Sequence, residues 1–187
     1  MVVLRAALPA DVPALEALIA ASARALGRGY YTEAETEAAI THVFGVDSAL
    51  VADRSYLIAE ADGVLAGCGG WSARRTLFGG DRFAAREDDR LDPAVDAARI
   101  RAFFVAPAFA RRGVGATILG GCEAAARDAG FASAALMATL PGVPFYAAHG
   151  YHAGTETIYD CGGVAVRFVP MHRDLGAGAR VGALPAV

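Results

Sequence analysis

The chain has 187 residues, which fits one domain with a substantial core, and its formal net charge of −3 excludes the basic stripe that nucleic-acid binding requires. Its three cysteines lack the spacing of zinc ligands or of a disulfide framework, and no uncharged segment approaches the roughly 20 apolar residues of a membrane span. We therefore expect a protein of the reducing cytoplasm with no nucleic-acid, membrane or metal partner.

The first third of the chain predicts a strand followed by two helices. Residues 2–7 read as the strand, and Asp11 is positioned to cap the helix that comes next. Thr32 and Glu35 have the spacing of a capping box, in which the hydroxyl accepts from a first-turn amide and the carboxylate reaches back. This box predicts a second helix that runs to about residue 44.

Two strands and a long loop follow the helices. Asp62 and Gly63 lie between two apolar runs, and this pair supplies the positive φ angles that a tight hairpin turn needs. Residues 74–95 are charged, contain Gly-Gly and Pro, and show no regular period. In a compact domain a loop of this length is typically either a functional lid or a disordered segment, and both interpretations stay open.

The stretch FFVAPAFARRGVGATIL, residues 103–119, predicts a junction between a strand and a helix. Within residues 98–105 the side chains alternate, which puts Arg101 on the side of the strand opposite to Ile100. Apolar residues at helical spacing then predict a helix from Arg112 to about residue 129.

The start of this helix is suited to an anion, because the first amides of a helix lack intrahelical partners and carry partial positive charge. Gly113 and Gly115 let an anion approach the backbone, while Arg111 and Arg112 add guanidinium groups that fit phosphate oxygens. A dinucleotide fingerprint is excluded, since position 118 is Ile where the third glycine should stand, and the absence of lysine excludes a nucleotide P-loop. The alternatives that remain are another kind of phosphate cradle and a plain turn with solvated arginines.

The last third predicts a strand, a short helix and a hairpin. ASAALMAT, residues 132–139, reads as the strand, and PGVPFYAAHG, residues 141–150, as the helix. Residues 151–171 read as a final hairpin. We expect residues 176–187 to form a disordered tail, so that a single domain spans residues 1–175.

These elements and two of their motifs resemble the GCN5-related N-acetyltransferase (GNAT) superfamily over roughly residues 2–173. Gly113-Val114-Gly115 matches the end of the acyl-coenzyme A motif [QR]-x-x-G-x-[GA], although Ala110 stands at its first position, where no side chain can contribute a phosphate contact. PFYAAHGY matches the second hallmark, an aromatic-Tyr pair followed by Gly and an aromatic residue. Two motifs at the proper spacing are more specific than either one alone.

The resemblance implies an α+β domain with a central mixed, mostly antiparallel sheet flanked by about four helices. It further implies that the strands ending at Val105 and near Thr139 splay apart and that coenzyme A lies in the gap. Pantetheine would pair with the backbone like an added strand, and the pyrophosphate would sit on the amides at the helix start. The implied cofactor-binding residues are Phe103, Phe104, Val105, Arg111, Arg112, Gly113, Val114, Gly115 and Ala116, with Thr117 as either a hydroxyl contact or a capping or packing residue.

The activity that the resemblance implies is transfer of acetyl from acetyl-CoA to a primary amine of a small molecule or peptide. Tyr146 stands where the family often has the general acid, and a phenol of pKa about 10 stays protonated at neutral pH; its alternative is an aromatic core residue. The backbone amide near Val105 is the implied oxyanion donor. The general base stays open among Glu60, Glu156, His149 and a water chain.

The acceptor site is implied at the linker between the first two helices and at the central strands. Tyr30, Tyr31 and Trp71 are candidates to line it, or else plain core or cover residues. We expect residues 74–95 to be mobile without ligand and to lie near the acceptor entrance, so that shortening them changes the acceptor KM more than cofactor affinity. A non-catalytic acyl-coenzyme A binding regulatory module is the alternative function, and a homodimer stays open.

Overall fold

A computed structural model describes residues 1–84, 87 and 89–176, in which eight strands form one sheet in the order β1-β2-β3-β4-β5-β8-β6, with β7 also paired to β8. Every strand pair is antiparallel except β4 with β5. The strands are β1 Val2–Ala6, β2 Tyr56–Ala61, β3 Val64–Ser72, β4 Ala98–Val105, β5 Ser133–Thr139, β6 His152–Ala153, β7 Thr157–Asp160 and β8 Ala165–Asp174; the helices are α1 Val12–Leu26, α2 Glu33–His42, α3 Ser48–Ala52, α4 Val114–Asp128 and α5 Val143–Ala148.

The sheet carries a hydrophobic cluster on each face. Along β2, Tyr56 and Ile58 belong to the cluster that contains residues of α1, α2 and α3, whereas Leu57 and Ala59 belong to the cluster that contains α4 and α5. Successive side chains of a strand point to opposite faces, so the helices cover both sides. The predicted α+β class and mostly antiparallel sheet are confirmed, with the short helix α3 as an element that sequence patterns did not indicate.

Two local predictions are confirmed and a third is wrong. The Thr32 hydroxyl accepts from the Glu35 amide at 3.2 Å and the Glu35 carboxylate accepts from the Thr32 amide at 2.7 Å, which completes the capping box at α2. Asp62 and Gly63 have φ of 53° and 78° in the hairpin turn. Asp11 does not cap α1, because its carboxylate instead accepts two hydrogen bonds from Arg5, at 2.8 and 2.9 Å.

The strict alternation expected along β4 is also wrong, because the strand contains a β-bulge. Arg101 pairs with Gly70 and Phe104 pairs with Cys68, so two residues, Ala102 and Phe103, face the single residue between these partners. Ala102 has φ of 49°. As a result Phe103 belongs to the same hydrophobic cluster as Ile100, while Ala102 and Phe104 belong to the other cluster. Ile100 and Arg101 are both buried, with 3% and 2% of their surfaces exposed, because helices cover both faces of the sheet.

A buried ion pair fixes Arg101. Its Nη2 contacts a carboxylate oxygen of Asp47 and donates to the carbonyl of Gly79 at 2.9 Å, and both side chains of the ion pair are fully enclosed. The other carboxylate oxygen of Asp47 caps α3 by accepting from the Ala49 amide at 3.0 Å. This ion pair therefore ties together β4, α3 and the segment 74–95.

Strands β4 and β5 pair over only two positions, Ala98 with Ala134 and Arg99 with Ala135. We call these two pairs the seam. Past the seam no pairing joins the two strands within the described part of the chain, and a gap opens between them. The fold thus places an opening in the middle of the sheet.

The described part of segment 74–95 is held against the body of the protein. The Gly80 amide donates to the Val43 carbonyl at 2.8 Å, the Asp81 amide donates to the Val46 carbonyl at 3.0 Å, and Phe78 is only 7% exposed. The predicted tail lies outside the described residues beyond Gly176. No helix in the ranges described is both long and apolar enough to cross a membrane.

Candidate active site

A cleft of about 620 Å³ occupies the gap between β4 and β5. Its walls come from the linker between α1 and α2, from β4 and β5, from the start of α4, from α5 and from segment 74–95. Because both faces of the sheet contribute side chains to this lining, the cleft reaches from one face to the other through the gap.

The start of α4 forms one end of the cleft. Gly113, the residue before the helix, has φ of 83° and Arg111 has φ of 63°, so the chain turns sharply into the helix. Among the described residues no side chain caps this helix, and a Cβ placed on Gly113 would have none of their heavy atoms within 4 Å. The first-turn amides therefore face open space, which is the arrangement that favours an anion.

Most of the residues predicted for the cofactor line this cleft, together with all three predicted tyrosines. Backbone or side-chain atoms of these residues face one continuous space. The residues are Phe103, Phe104, Val105, Arg111, Gly113, Gly115, Ala116, Tyr30, Tyr31 and Tyr146.

Four predicted residues lie outside the lining. The guanidinium of Arg112 lies 5.2 Å from the centroid of the Phe109 ring, and Val114 is a core side chain with 1% exposed. The Thr117 hydroxyl donates to the carbonyl of Gly113 at 3.1 Å within the helix. Trp71 packs on the α4 side of the sheet at 6.2 Å from the Phe131 ring. Each of these side chains is thus occupied by packing or by a local contact.

Tyr146 is buried, and its ring packs at 5.9 Å from Phe103 and 5.1 Å from Phe145. Its hydroxyl makes no hydrogen bond to any residue that the structure describes, whereas the buried hydroxyls of Tyr56 and Tyr151 both do. Burial raises the pKa of Tyr146 well above its ordinary value, so the phenol is protonated across the neutral range. The cleft therefore contains a proton donor whose natural partner is a bound molecule.

The other two tyrosines of the lining differ from Tyr146. The hydroxyl of Tyr31 donates to the carbonyl of Arg167 at 2.6 Å and accepts from the Leu140 amide at 2.9 Å. Burial raises the pKa of Tyr31 to about 12. Since this hydroxyl already donates and accepts a hydrogen bond in fixing the linker to the sheet, Tyr31 contributes its aromatic ring to the lining of the cleft. Tyr30 is 46% exposed at the mouth of the cleft.

Of the three side chains considered for a general base, only His149 lines the cleft. Its Nδ1 lies 2.8 Å from the carbonyl oxygen of Phe145. Because a carbonyl oxygen can only accept a hydrogen bond, Nδ1 must carry the proton, which leaves Nε2 of the neutral ring as a hydrogen-bond acceptor. Glu60 is instead paired with Arg5 at 2.8 Å. Within residues 1–84, 87 and 89–176, no aspartate or glutamate lines the cleft.

Residues 17–151 match the model of the acetyltransferase (GNAT) family. The chain belongs to this family. Among curated proteins none matches the sequence.

Solved structures of GNAT proteins share the fold of this GNAT chain. A GCN5-related N-acetyltransferase from Rhodopseudomonas palustris matches with a TM-score of 0.68 and 24% identity over 92% of this chain and 94% of that chain. The PaiA N-acetyltransferase of Thermoplasma acidophilum, solved with coenzyme A, has a TM-score of 0.63 and 17% identity over 93% and 99% of the two chains. N-acetylglutamate synthase of Neisseria gonorrhoeae, solved with coenzyme A and N-acetyl-glutamate, has a TM-score of 0.55 and 20% identity, with 94% of this chain covering 35% of that chain.

Sequence reasoning missed a group of phenylalanines in the cleft of this GNAT protein. Phe44, Phe78 and Phe168 line it beside Phe104, and they come from the turn after α2, from segment 74–95 and from β8. We call these four side chains the aromatic floor. The sequence did contain one signal for this group. Phe78 stands in a charged loop, among Arg74, Arg75 and Asp81, and a large apolar residue in such a loop is typically buried against the protein.

Proposed function

We propose that the protein transfers an acetyl group from acetyl-CoA to a primary amine, in the cytoplasm and as a single catalytic domain of residues 1–175. The observation that carries this proposal is the cleft itself, which joins an uncapped helix start to the hydroxyl of a buried tyrosine, Tyr146, that has no partner in the described chain. Membership of the GNAT family supports the same conclusion, and two structural relatives were solved in complex with coenzyme A.

The residues of the cleft fit the donor acetyl-CoA. The pyrophosphate would be held by the amides from Arg111 to Ala116, where a Cβ on Gly113 would occupy the open space. The guanidinium of Arg111 lines the same end and can pair with a phosphate oxygen. The bulge and the gap leave the β5-facing edge of β4 around Phe103 to Val105 available to a pantetheine amide.

The chemistry requires a neutral amine, an oxyanion donor and an acid for the leaving thiolate. The amine nitrogen forms a bond to the thioester carbon and gives up one proton to a base, and the carbon–sulfur bond breaks. Tyr146 gives its proton to the sulfur and recovers one from water. The amide near Val105 is the proposed oxyanion donor, and Nε2 of His149 is the candidate acceptor for the amine proton.

A regulatory module that binds acyl-coenzyme A without turnover is the second candidate. The observation that favours it is the lack of any aspartate or glutamate in the described lining of the cleft. A thiol-release screen with acetyl-CoA against small amines, amino acids, polyamines, antibiotics and peptide N-termini separates the two. Release with any amine supports the transferase, whereas coenzyme A binding without release of thiol supports the module.

The cofactor assignment predicts the effect of Gly113→Val. Coenzyme A at about 100 times its Kd should raise the Tm of the wild type by roughly 5–10 °C, because it binds only the folded state. Gly113→Val should abolish this shift, since its side chain fills the space in front of the helix start. Calorimetry and thermal melts with and without coenzyme A measure the effect.

A matched control for this substitution is Gly163→Val in the turn between β7 and β8. Gly163 has φ of 88° and also has no heavy atom within 4 Å of an added Cβ, so the two substitutions impose the same kind of backbone strain. Both variants should lose a similar amount of stability, and only Gly113→Val should lose the coenzyme A shift. Unchanged coenzyme A binding by Gly113→Val would show that the cradle is assigned wrongly.

A further inference from the structure

We propose that the acceptor is a small monoamine with an aromatic or branched aliphatic body, and that this body binds on the aromatic floor of Phe44, Phe78, Phe104 and Phe168. The proposal rests on the acetyl transfer proposed above. It names the class of acceptor, which the family assignment leaves undefined.

The floor is a connected set of rings. Phe44 lies 5.3 Å from Phe104 and 6.1 Å from Phe168 between centroids, and Phe78 lies 5.3 Å from Phe168. All three ring contacts are edge-to-face or tilted, as in a protein core, and all four side chains also border the cleft. An apolar body placed there would be removed from water on a surface that is already packed and preformed.

The floor lies on the opposite face of the sheet from the cofactor cradle. Phe104 belongs to the cluster on the α1 and α2 side, whereas its neighbour Phe103 belongs to the cluster with Phe145 and Tyr146. The gap past the seam connects the two faces. A donor seated at the start of α4 and an acceptor seated on the floor would therefore meet at the gap, next to the bulge of β4.

The charges in the cleft select against polyamines and acidic amino acids. No described carboxylate borders the cleft to receive the second ammonium of a polyamine. Among the described residues two arginines border it, but the charge of Arg101 is balanced by Asp47 and Arg111 lies at the cradle end. Neither is placed to hold an acceptor carboxylate on the floor, so an amine with a single charge and an apolar body is the complementary ligand.

The few polar groups beside the floor agree with this choice. Thr36 donates its hydroxyl to the Thr32 carbonyl at 3.0 Å, and the Tyr31 hydroxyl already has two partners. The Ser22 hydroxyl, on α1, has no hydrogen bond to any residue in the described ranges and also borders the cleft. The Ser22 hydroxyl can thus serve as a polar contact for the single amine of the proposed acceptor.

An apolar floor also helps the chemistry. Moving an ammonium out of water disfavours its charged form and so lowers the pKa of the bound amine. The neutral amine that attack on a thioester requires is thereby more populated. The aromatic floor thus favours the deprotonated amine, which is part of the role that a carboxylate base would otherwise have.

The first test compares 2-phenylethylamine with spermidine and L-glutamate as acceptors of acetyl from acetyl-CoA. We expect kcat/KM for 2-phenylethylamine to exceed that for the other two by roughly 10- to 100-fold, the effect of burying one phenyl group. Higher kcat/KM with spermidine, glutamate or a peptide N-terminus would overturn the acceptor class and leave the acetyl transfer standing.

Two substitutions locate the effect in the floor. Phe78→Leu should raise the KM for 2-phenylethylamine about 5- to 10-fold and leave the coenzyme A shift of Tm unchanged, since only part of the ring contact is lost. Phe83→Leu is the control, because Phe83 is in the same segment, 4.6 Å from Phe78, and does not border the cleft. Equal effects of the two would contradict the proposal.

Leu26→Glu tests the charge argument without disturbing the core, because Leu26 borders the cleft and is 36% exposed. It should shift the ratio of kcat/KM values several-fold towards spermidine, and an unchanged ratio would count against the proposal. If no amine releases thiol, calorimetry of 2-phenylethylamine with coenzyme A-loaded protein decides. If 2-phenylethylamine binds and Phe78→Leu weakens its binding, the aromatic floor is supported as its binding site, although the proposed acetyl transfer is wrong. If 2-phenylethylamine does not bind, the proposed binding site is wrong.

Discussion

Tyr146→Phe is expected to lower kcat by roughly 10² or more, the usual size of a general-acid contribution. The substitution removes one hydroxyl and keeps the ring that packs against Phe103 and Phe145, so folding and coenzyme A affinity should change little. The acceptor KM should also stay near its wild-type value, because a bond to the leaving sulfur forms mainly in the transition state. Steady-state kinetics on a confirmed amine acceptor measure both parameters.

The pH dependence of kcat follows from the same residue. Burial raises the pKa of Tyr146, so its acid form persists as pH rises through the range in which amines lose their protons. We expect the wild-type kcat to rise with pH and to reach a plateau without an alkaline decline caused by this group. Tyr146→Phe should give a lower profile of the same shape.

Tyr151→Phe is the matched control for Tyr146→Phe. Its ring lies 5.6 Å from Tyr146, but its hydroxyl donates to Glu123 at 3.1 Å and does not border the cleft. Loss of this hydrogen bond should cost about 1 kcal/mol of stability and leave kcat unchanged. If Tyr146→Phe retains a wild-type kcat, Tyr146 serves packing alone and another group is the acid.

Asp47→Ala is expected to lower the free energy of unfolding by about 3–5 kcal/mol. The substitution removes the carboxylate that is ion-paired with the enclosed guanidinium of Arg101, and it also removes the cap of α3. Asp47→Asn separates the two effects, because the amide oxygen can still accept from the Ala49 amide while the charge is gone. Urea denaturation measures both variants.

Asp81→Ala is the control for the charge effect, because Asp81 also accepts from an amide at the start of α3, that of Ser48 at 3.0 Å, but in an exposed setting. It should cost no more than about 1 kcal/mol. Replacing the pair together, as Asp47→Leu with Arg101→Met, should recover most of the stability lost by Asp47→Ala, since no buried charge then remains. A loss below about 1 kcal/mol for Asp47→Ala would show that Arg101 does not depend on this carboxylate.

The elements that local sequence predicts are those whose cause is local. The capping box of Thr32 and Glu35 needs three residues of spacing, and the turn at Asp62 and Gly63 needs two residues that tolerate positive φ. Asp11 shows the limit of such rules. Its carboxylate satisfies the rule for a helix cap, but Arg5 on the neighbouring strand binds it in two places, which no local pattern reveals.

The candidate site divides in the same way. Gly113 and Gly115 were predicted to belong to a phosphate cradle because the exposed first-turn amides of a helix are a local feature of the sequence. The bulge of β4 depends on Tyr56, whose hydroxyl donates to the carbonyl of Ala102 at 3.0 Å from another strand. The aromatic floor depends on four rings that are distant in sequence. Partners of this kind are set by the tertiary fold, and the spacing of residues carries no sign of them.

The seam has a consequence for the order in which the molecule forms and comes apart. Strands β1 to β4 pair among themselves and β5 to β8 pair among themselves, and only the two residue pairs at Ala98 and Arg99 join these halves within the described sheet. The seam offers only two residue pairs to offset the entropy lost when the halves are joined, whereas each half is held together by many more pairs. We therefore expect docking of the halves to come late in folding. A cofactor that contacts both sides of the gap would then stabilise the native state but not the transition state of folding. It would therefore slow unfolding and leave the folding rate unchanged.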